Sequence, residues 1–289
     1  MLPEKIKKLI ADEGCRTDDI GMSGASVLLY DTKVLKVQEP GEEEENEYRI
    51  LKYLHGKLPV PKVHAYEHTD GMSYLLMDRC EGEMACAESY MRHPELLCKL
   101  LANGLKKLWS IDVSACPSDQ RLSYKLARAQ YNIEHSLVDL DNVEPETFGE
   151  HGFKGPEELL AWLWEHRPEE EPVFSHGDFC LPNLFGVGTE VTGYIDLGRA
   201  GIADKWCDIA LCYRSLSYNC NGKYRNSKAY TEYDSMLLNP YSKLRRKAHS
   251  LPNPQSGFAI SACRNLFREL GIAPDWEKIR YYILLDELF

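Results

Sequence analysis

The chain has no pair of cysteines spaced as C-x-x-C, and its ten cysteines follow no regular framework. That excludes a disulfide scaffold, and the thiols read as reduced and mostly buried, as in a cytosolic protein. Also missing is any apolar run approaching the length of a membrane span. The opening stretch, MLPEKIKKLIADEG, reads as an amphipathic helix and lacks the unbroken apolar core of a signal peptide. A cytoplasmic location with no membrane partner is the expectation. Positive charge is scarce, with 34 Lys and Arg against 45 Asp and Glu and a net charge of −11. This balance argues against nucleic acid as a partner and suits a cationic ligand. Nor is there a complete G-x-G-x-x-G loop. With 289 residues, 44% hydrophobic and 27% charged, the composition is that of a globular protein near the limit for one core. Two lobes are therefore expected, in a monomer or a weak homodimer.

The information that is present concentrates between Ser175 and Asp208, which read SHGDFCLPNLFGVGTEVTGYIDLGRAGIADKWCD. Asp178 and Asn183 are separated by four residues, and Asp196 follows after twelve more. HGD alone would be no more than a turn, with Asn183 as a helix cap. HGD, an Asn at a fixed offset and then Y-I-D-L-G form a far more specific ordered set. The spacing is that of H-R-D-x-x-x-x-N, with Gly177 where the Arg would stand. Phosphoryl transfer from ATP needs such a set, with one carboxylate (Asp178) to orient the attacking hydroxyl. An amide oxygen (Asn183) and a second carboxylate (Asp196) then hold Mg²⁺ on the phosphates. Little covalent chemistry falls to the protein, so a few well-placed oxygens suffice. No A-P-E segment follows IDLG, which argues against a protein kinase. Cys180 lies inside the loop with no neighbouring base to make it a nucleophile.

Upstream, residues 4–13 alternate as a helix closed by Gly14, and SVLLY and KVLKV read as a hairpin joined by Asp31 and Thr32. Ser23, Gly24, Ala25 and Ser26 precede the first of these strands and are small enough to let backbone approach phosphate. Lys36 in the second strand would reach the α and β phosphates, with Glu47 of the following helix (42–54) as its acidic partner. Glu42 to Glu45 suit the helix dipole at the N-terminus. MSYLLM reads as a buried strand, and Asp78 to Gly82 as a hinge whose backbone would read the adenine edge. Beyond it the pattern is mainly helical, over 94–110, 122–140, 157–166 and 275–289. Trp162 and Trp164 read as core or interface. Ser217 to Ser256 carries seven basic residues against two acidic ones and reads as a surface insertion.

GKLPVPKV, FSHGD, GYIDLGRAGIADKWCDIA and GIAPDWEKIRYYILLDELF together resemble the aminoglycoside 3′-phosphotransferases, over nearly the whole chain. The resemblance implies an α+β, two-lobed, protein-kinase-like fold. Residues 1–80 would form a small β-rich nucleotide lobe, and residues 81–289 a larger, mainly helical catalytic and substrate lobe. It also implies ATP and Mg²⁺ as cofactors, and transfer of the γ-phosphoryl group to the 3′ hydroxyl of kanamycin- or neomycin-like antibiotics, which would confer resistance. Asp178 would be the catalytic base, Asn183 and Asp196 the metal ligands, and Lys36 with Glu47 the phosphate-positioning pair. Ser23 would cover the phosphates, and Asp78 and Cys80 would line the adenine site. Asp286, Glu287, the Phe289 carboxylate, Arg199 and Glu144 or Glu146 would meet the cationic substrate. Val34 stands where the family pattern is aromatic, and the long 217–256 segment would alter which antibiotics fit. Two rivals share these residues: a kinase for another amino alcohol or sugar, and a non-catalytic nucleotide-binding module.

Overall fold

The computed structural model describes residues 2–17, 26–141, 143–144, 147–150, 152–221 and 257–289. Helix α1 (Glu4–Leu9) leads into strands β1 (Cys15–Thr17), β2 (Ser26–Tyr30) and β3 (Lys33–Gln38). Helix α2 (Glu42–Leu54) and strands β4 (Val63–Thr69) and β5 (Met72–Asp78) complete the first part of the chain. The five strands form one antiparallel sheet in the order β1-β2-β3-β5-β4. Alternation along β3 and its pairing with β5 set Lys36 opposite Leu75. Ile50, Leu51 and Leu54 give α2 a buried face, and its first turn carries Glu42 to Glu45 at the positive end of the helix dipole.

One expectation is corrected in this region. The first helix stops at Leu9 instead of running to residue 13. Glu13 turns away to accept the Thr32 amide and hydroxyl at 2.9 and 2.8 Å, and the Gly14 amide donates to Asp31 at 3.1 Å. These bonds swing the chain into β1, a strand of three residues too short to show a periodicity. Ile6 and Ile10 still bury against Leu35 and Leu76 on the outer face of the sheet.

The second part begins with β6 (Glu83–Met84), α3 (Glu88–Met91), α4 (Pro94–Trp109), α5 (Leu122–Glu134) and α6 (Pro156–Glu165). Next come β7 (Pro172–Ser175), a 3-10 turn (Leu181–Asn183), β8 (Leu184–Val187), β9 (Glu190–Tyr194) and β10 (Gly201–Asp204). It closes with α7 (Lys205–Cys220), α8 (Gly257–Leu270) and α9 (Trp276–Asp286). Strand β10 pairs with β7, and β6, β8 and β9 form a small sheet of their own. Helix α4 is central, with Leu97, Leu100, Leu101, Leu105 and Leu108 at 0% exposure, while Leu96 is only partly buried. Helix α5 ends at Glu134, short of the expected residue 140, and leaves Leu137 and Leu140 exposed. Trp162 packs on the core, whereas Trp164 is exposed. No described helix is long and apolar enough to cross a membrane. The 217–256 segment lies outside the described residues beyond Asn221.

Candidate active site

The site is organised by one buried carboxylate that the sequence reading passed over. Asp208, on α7, is wholly buried and receives three hydrogen bonds from the loop that leaves β7. The Ser175 hydroxyl and Gly177 amide donate to its Oδ1 at 2.9 and 3.0 Å, and the His176 amide donates to its Oδ2 at 2.9 Å. Such bonds to a charged acceptor are stronger than neutral ones, so the loop is fixed before substrate arrives. Its only sequence signal was its place at the end of the ADKWCD run. Gly177 has φ +82°, and a Cβ there would lie 2.0 Å from the Arg199 carbonyl oxygen. No side chain fits, which explains why an Arg is absent at this position.

The buried His176 ring then ties the loop to the segment after β9. Its Nε2 meets the Ile195 carbonyl at 3.0 Å, and a carbonyl only accepts, so that nitrogen carries the proton. The free Nδ1 accepts from the Asp178 amide at 3.4 Å. Asn183 donates from Nδ2 to both the carbonyl and the Oδ2 of Asp178, each at 3.0 Å. Burial pushes the Asp178 carboxyl above its ordinary pKa, with help from the Asp286 charge, while Arg199 and His176 pull the other way.

Asp196 sits at φ +59°, a left-handed conformation uncommon outside glycine, which is a pointer to function. Its Oδ1 lies 2.8 Å from Lys36 Nζ, and the same ammonium lies 2.9 Å from Glu47 Oε2. Burial works against the Lys36 charge, yet the two carboxylates hold it above the ordinary lysine range. In Asp196 the Lys36 charge likewise outweighs burial and lowers the pKa. The predicted pairing of Lys36 with Glu47 is present, and Asp196 joins it.

The donor set fits a hard divalent cation. Asn183 uses its amide nitrogen toward Asp178, which leaves Oδ1 unengaged among the described residues, and Asp196 has a second oxygen that does not bond Lys36. No cluster of three His, Cys, Asp or Glu ligands exists among the described residues. Two protein oxygens fit Mg²⁺, an ion that is commonly held by one or two carboxylates or amide oxygens with water completing its shell.

At the far end of the site, both tail carboxylates already have partners. Asp286 accepts from Arg214, and Arg199 Nη1 lies 3.3 Å from it. Glu287 pairs with Arg214 at 3.3 Å and accepts the Glu144 amide at 2.7 Å. Burial pushes the Glu287 carboxyl up to about 7, against the pull of the Glu144 amide and Arg214. For Asp286 burial also raises the pKa, but Arg214 and Arg199 bring it below the ordinary value. The Phe289 ring lies 5.3 Å from the Arg199 guanidinium and 5.6 Å from the Lys125 ammonium. Arg214 is thus a second residue that the sequence reading missed. A cavity of about 210 Å³ lined by Glu43, Tyr124, Lys125, Arg199 and Phe289, among others, adjoins this cluster. Asp78 is bound to His64 at the end of β5, and Cys80 is half-buried against Gly193, its thiol pushed up to about 12 by burial. Ser23 and Glu146 lie outside the described residues.

An antiparallel sheet backed by helices, with Lys36 held by Glu47 and Asp196 and with Asp178 joined to Asn183, defines the class of the molecule. Residues 15–235 match the family described as Phosphotransferase enzyme family, and the chain belongs to it. The chain is 38% identical to an aminoglycoside 3′-phosphotransferase of Enterococcus faecalis, over 99% of its own length and 97% of the relative's. A Staphylococcus aureus enzyme of the same name is also 38% identical over the same shares. Among solved structures, an aminoglycoside 3′-phosphotransferase of type VIII superposes with a TM-score of 0.71 at 26% identity, covering 99% and 98% of the two chains. A Streptomyces rimosus aminoglycoside phosphotransferase bound to ADP and streptomycin gives 0.73 at 22% identity, covering 98% and 96%, which supports the shared fold. The expected two-lobed kinase-like architecture is therefore present.

Proposed function

We propose that this enzyme transfers the γ-phosphoryl group of ATP to the 3′ hydroxyl of an aminoglycoside such as kanamycin or neomycin. The observation that carries the reading is the meeting of Lys36, Glu47, Asp196, Asn183 and Asp178 beside a carboxylate-rich end formed by α9. Full-length relatives that share the aminoglycoside 3′-phosphotransferase name supply the acceptor class. Residues 1–80 serve as the nucleotide lobe and residues 81–289 as the catalytic and acceptor lobe.

Lys36, held by Glu47, places a fixed positive charge against the α and β phosphates. Asn183 Oδ1 and Asp196 would hold Mg²⁺, which would supply neutralisation of charge on the nucleotide phosphates. Asp178 accepts the hydrogen of the acceptor hydroxyl and keeps the oxygen in line with the γ-phosphorus. The new O–P bond forms as the bond to ADP breaks, and the hydroxyl proton passes to the Asp178 carboxylate. A pKa raised by burial makes that carboxylate the better base. Asp286, Glu287 and Glu144 receive the ammonium groups, competing there with Arg199 and Arg214.

The test is a coupled ATP-turnover assay on kanamycin, neomycin and a 3′-deoxy aminoglycoside, with the product mapped by phosphorus NMR. Turnover is expected on the first two and not on the deoxy compound. Equal phosphorylation of the deoxy compound would move the site of transfer, and silence on all three would remove the substrate class.

A further inference from the structure

Arg199 lies three residues beyond Asp196 and takes carboxylate partners from two separate helices. Its Nε is 3.1 Å from Glu43 of α2, and its Nη1 is 3.3 Å from Asp286 at the end of α9. Glu43 stands four residues before Glu47, about one helical turn, so the residue that reaches Arg199 and the residue that holds Lys36 share one rigid segment. The same helix also grips the backbone on either side of Arg199. Asn46 donates to the carbonyls of Gly198 and Ala200 at 2.8 and 2.9 Å. Gly198 permits this approach, since a Cβ there would lie 3.0 Å from the Glu43 carbonyl oxygen. A continuous set of polar contacts therefore runs from the acceptor end, through Arg199 and α2, to the phosphate-binding lysine.

An acceptor ammonium that approaches Asp286 competes with Arg199 and Arg214 for the same two oxygens. As Arg199 yields Asp286, the carboxylate that stays hydrogen-bonded to it among the described residues is Glu43, and the load moves onto α2. We propose that Glu43 is a positioning residue, acting through Arg199, that makes nucleotide and aminoglycoside binding cooperative. The inference rests on the functional reading above for the chemistry of the acceptor. Cooperativity of this kind is reciprocal: whatever the acceptor does to nucleotide affinity, nucleotide does to acceptor affinity. Glu43 suits the role because it contributes little to folding. Its side chain is 53% exposed, and pairs at such sites contribute little stability. The substitution Glu43→Gln should therefore leave a folded protein.

The experiment is titration calorimetry of ADP with Mg²⁺, with and without saturating kanamycin, on the wild type, E43Q and E42Q. Glu42 is the control, because it lies in the same turn and pairs with Arg128 at 3.5 Å instead of with Arg199. The wild type is expected to bind ADP about fivefold or more tightly with kanamycin present. In E43Q the ratio should fall to within about twofold of unity while ADP binding alone changes less than about threefold, and E42Q should keep the wild-type ratio. A ratio of one in the wild type, an unchanged ratio in E43Q, or equal loss in E42Q overturns the proposal. Parallel turnover assays separate the two readings. Phosphorylation without cooperativity sinks only the role of Glu43, and absence of aminoglycoside turnover sinks both.

Discussion

At the level of single residues, two carboxyls with raised pKa values both favour turnover at higher pH. As the proposed base, Asp178 must be ionised to accept a proton, and burial has raised its pKa, so turnover should fall on the acid side earlier than for an ordinary carboxylate. Asp178→Asn removes the base and keeps the shape. It should lower kcat by about 10²- to 10⁴-fold with ADP affinity unchanged, as read by steady-state kinetics beside calorimetry. Turnover near wild type in that variant would take the base role away from Asp178. Glu287 is the second case, raised to about 7 from an ordinary 4.5. A folded pKa above the unfolded one means the fold favours the protonated form. Its contribution to stability is present below about pH 4.5 and is lost as pH rises through about 7, amounting to about 3 kcal/mol. Acceptor ammonium favours the ionised form, so acceptor KM should fall as pH rises through about 7. Glu287→Gln should flatten both trends, and a KM profile that the variant leaves in place would assign the limb to another group.

Among elements, the loop after β7 shows how a helix can govern a site it does not enter. Asp208 on α7 is wholly buried, yet it receives three of the donors that set the loop. In Asp208→Asn one oxygen becomes an NH₂ group and faces an N–H or O–H donor, leaving buried donors without acceptors. The expected result is a loss of about 3 kcal/mol in a urea melt. A fall in kcat that persists well below the melting point should accompany it. A variant as stable and active as the wild type would mean the loop is held elsewhere. The sequence could not reveal this residue, because its chemistry comes from contacts made 31 to 33 residues away. What it could reveal were local patterns: the Asp178–Asn183 offset, the apolar stripe of α4, and Lys36 alternating in β3. Where long-range bonds override local preference the reading overran, as at α1, where Glu13 and Gly14 attach to the β2–β3 turn. Arg214 went unread for the same reason, since only the fold brings α7 beside α9.

Over the whole molecule, charge acts differently than the tail sequence implied. Asp286 and Glu287 looked like free carboxylates awaiting a cation, but Arg199 and Arg214 already sit on them. Locally the proposed acceptor end is closer to neutral than its carboxylates alone imply, so short-range attraction for a polycation is muted. The net charge of −11 remains, and it supplies a long-range field that draws a cationic acceptor toward the protein. Such a field is screened within a Debye length of about 10 Å at 0.1 M salt, whereas contacts made after docking are screened much less. Raising KCl from about 0.05 M to about 0.5 M should therefore lower kcat/KM for a polycationic aminoglycoside severalfold, while kcat stays within a factor of about two. An acceptor with fewer ammonium groups should lose proportionately less, and sucrose at equal osmolality should do nothing. If kcat/KM ignores salt, capture depends on displacing Arg199 and Arg214 at close range. The steepness of the salt response therefore measures how far the field of the whole chain outweighs the carboxylates of its last helix.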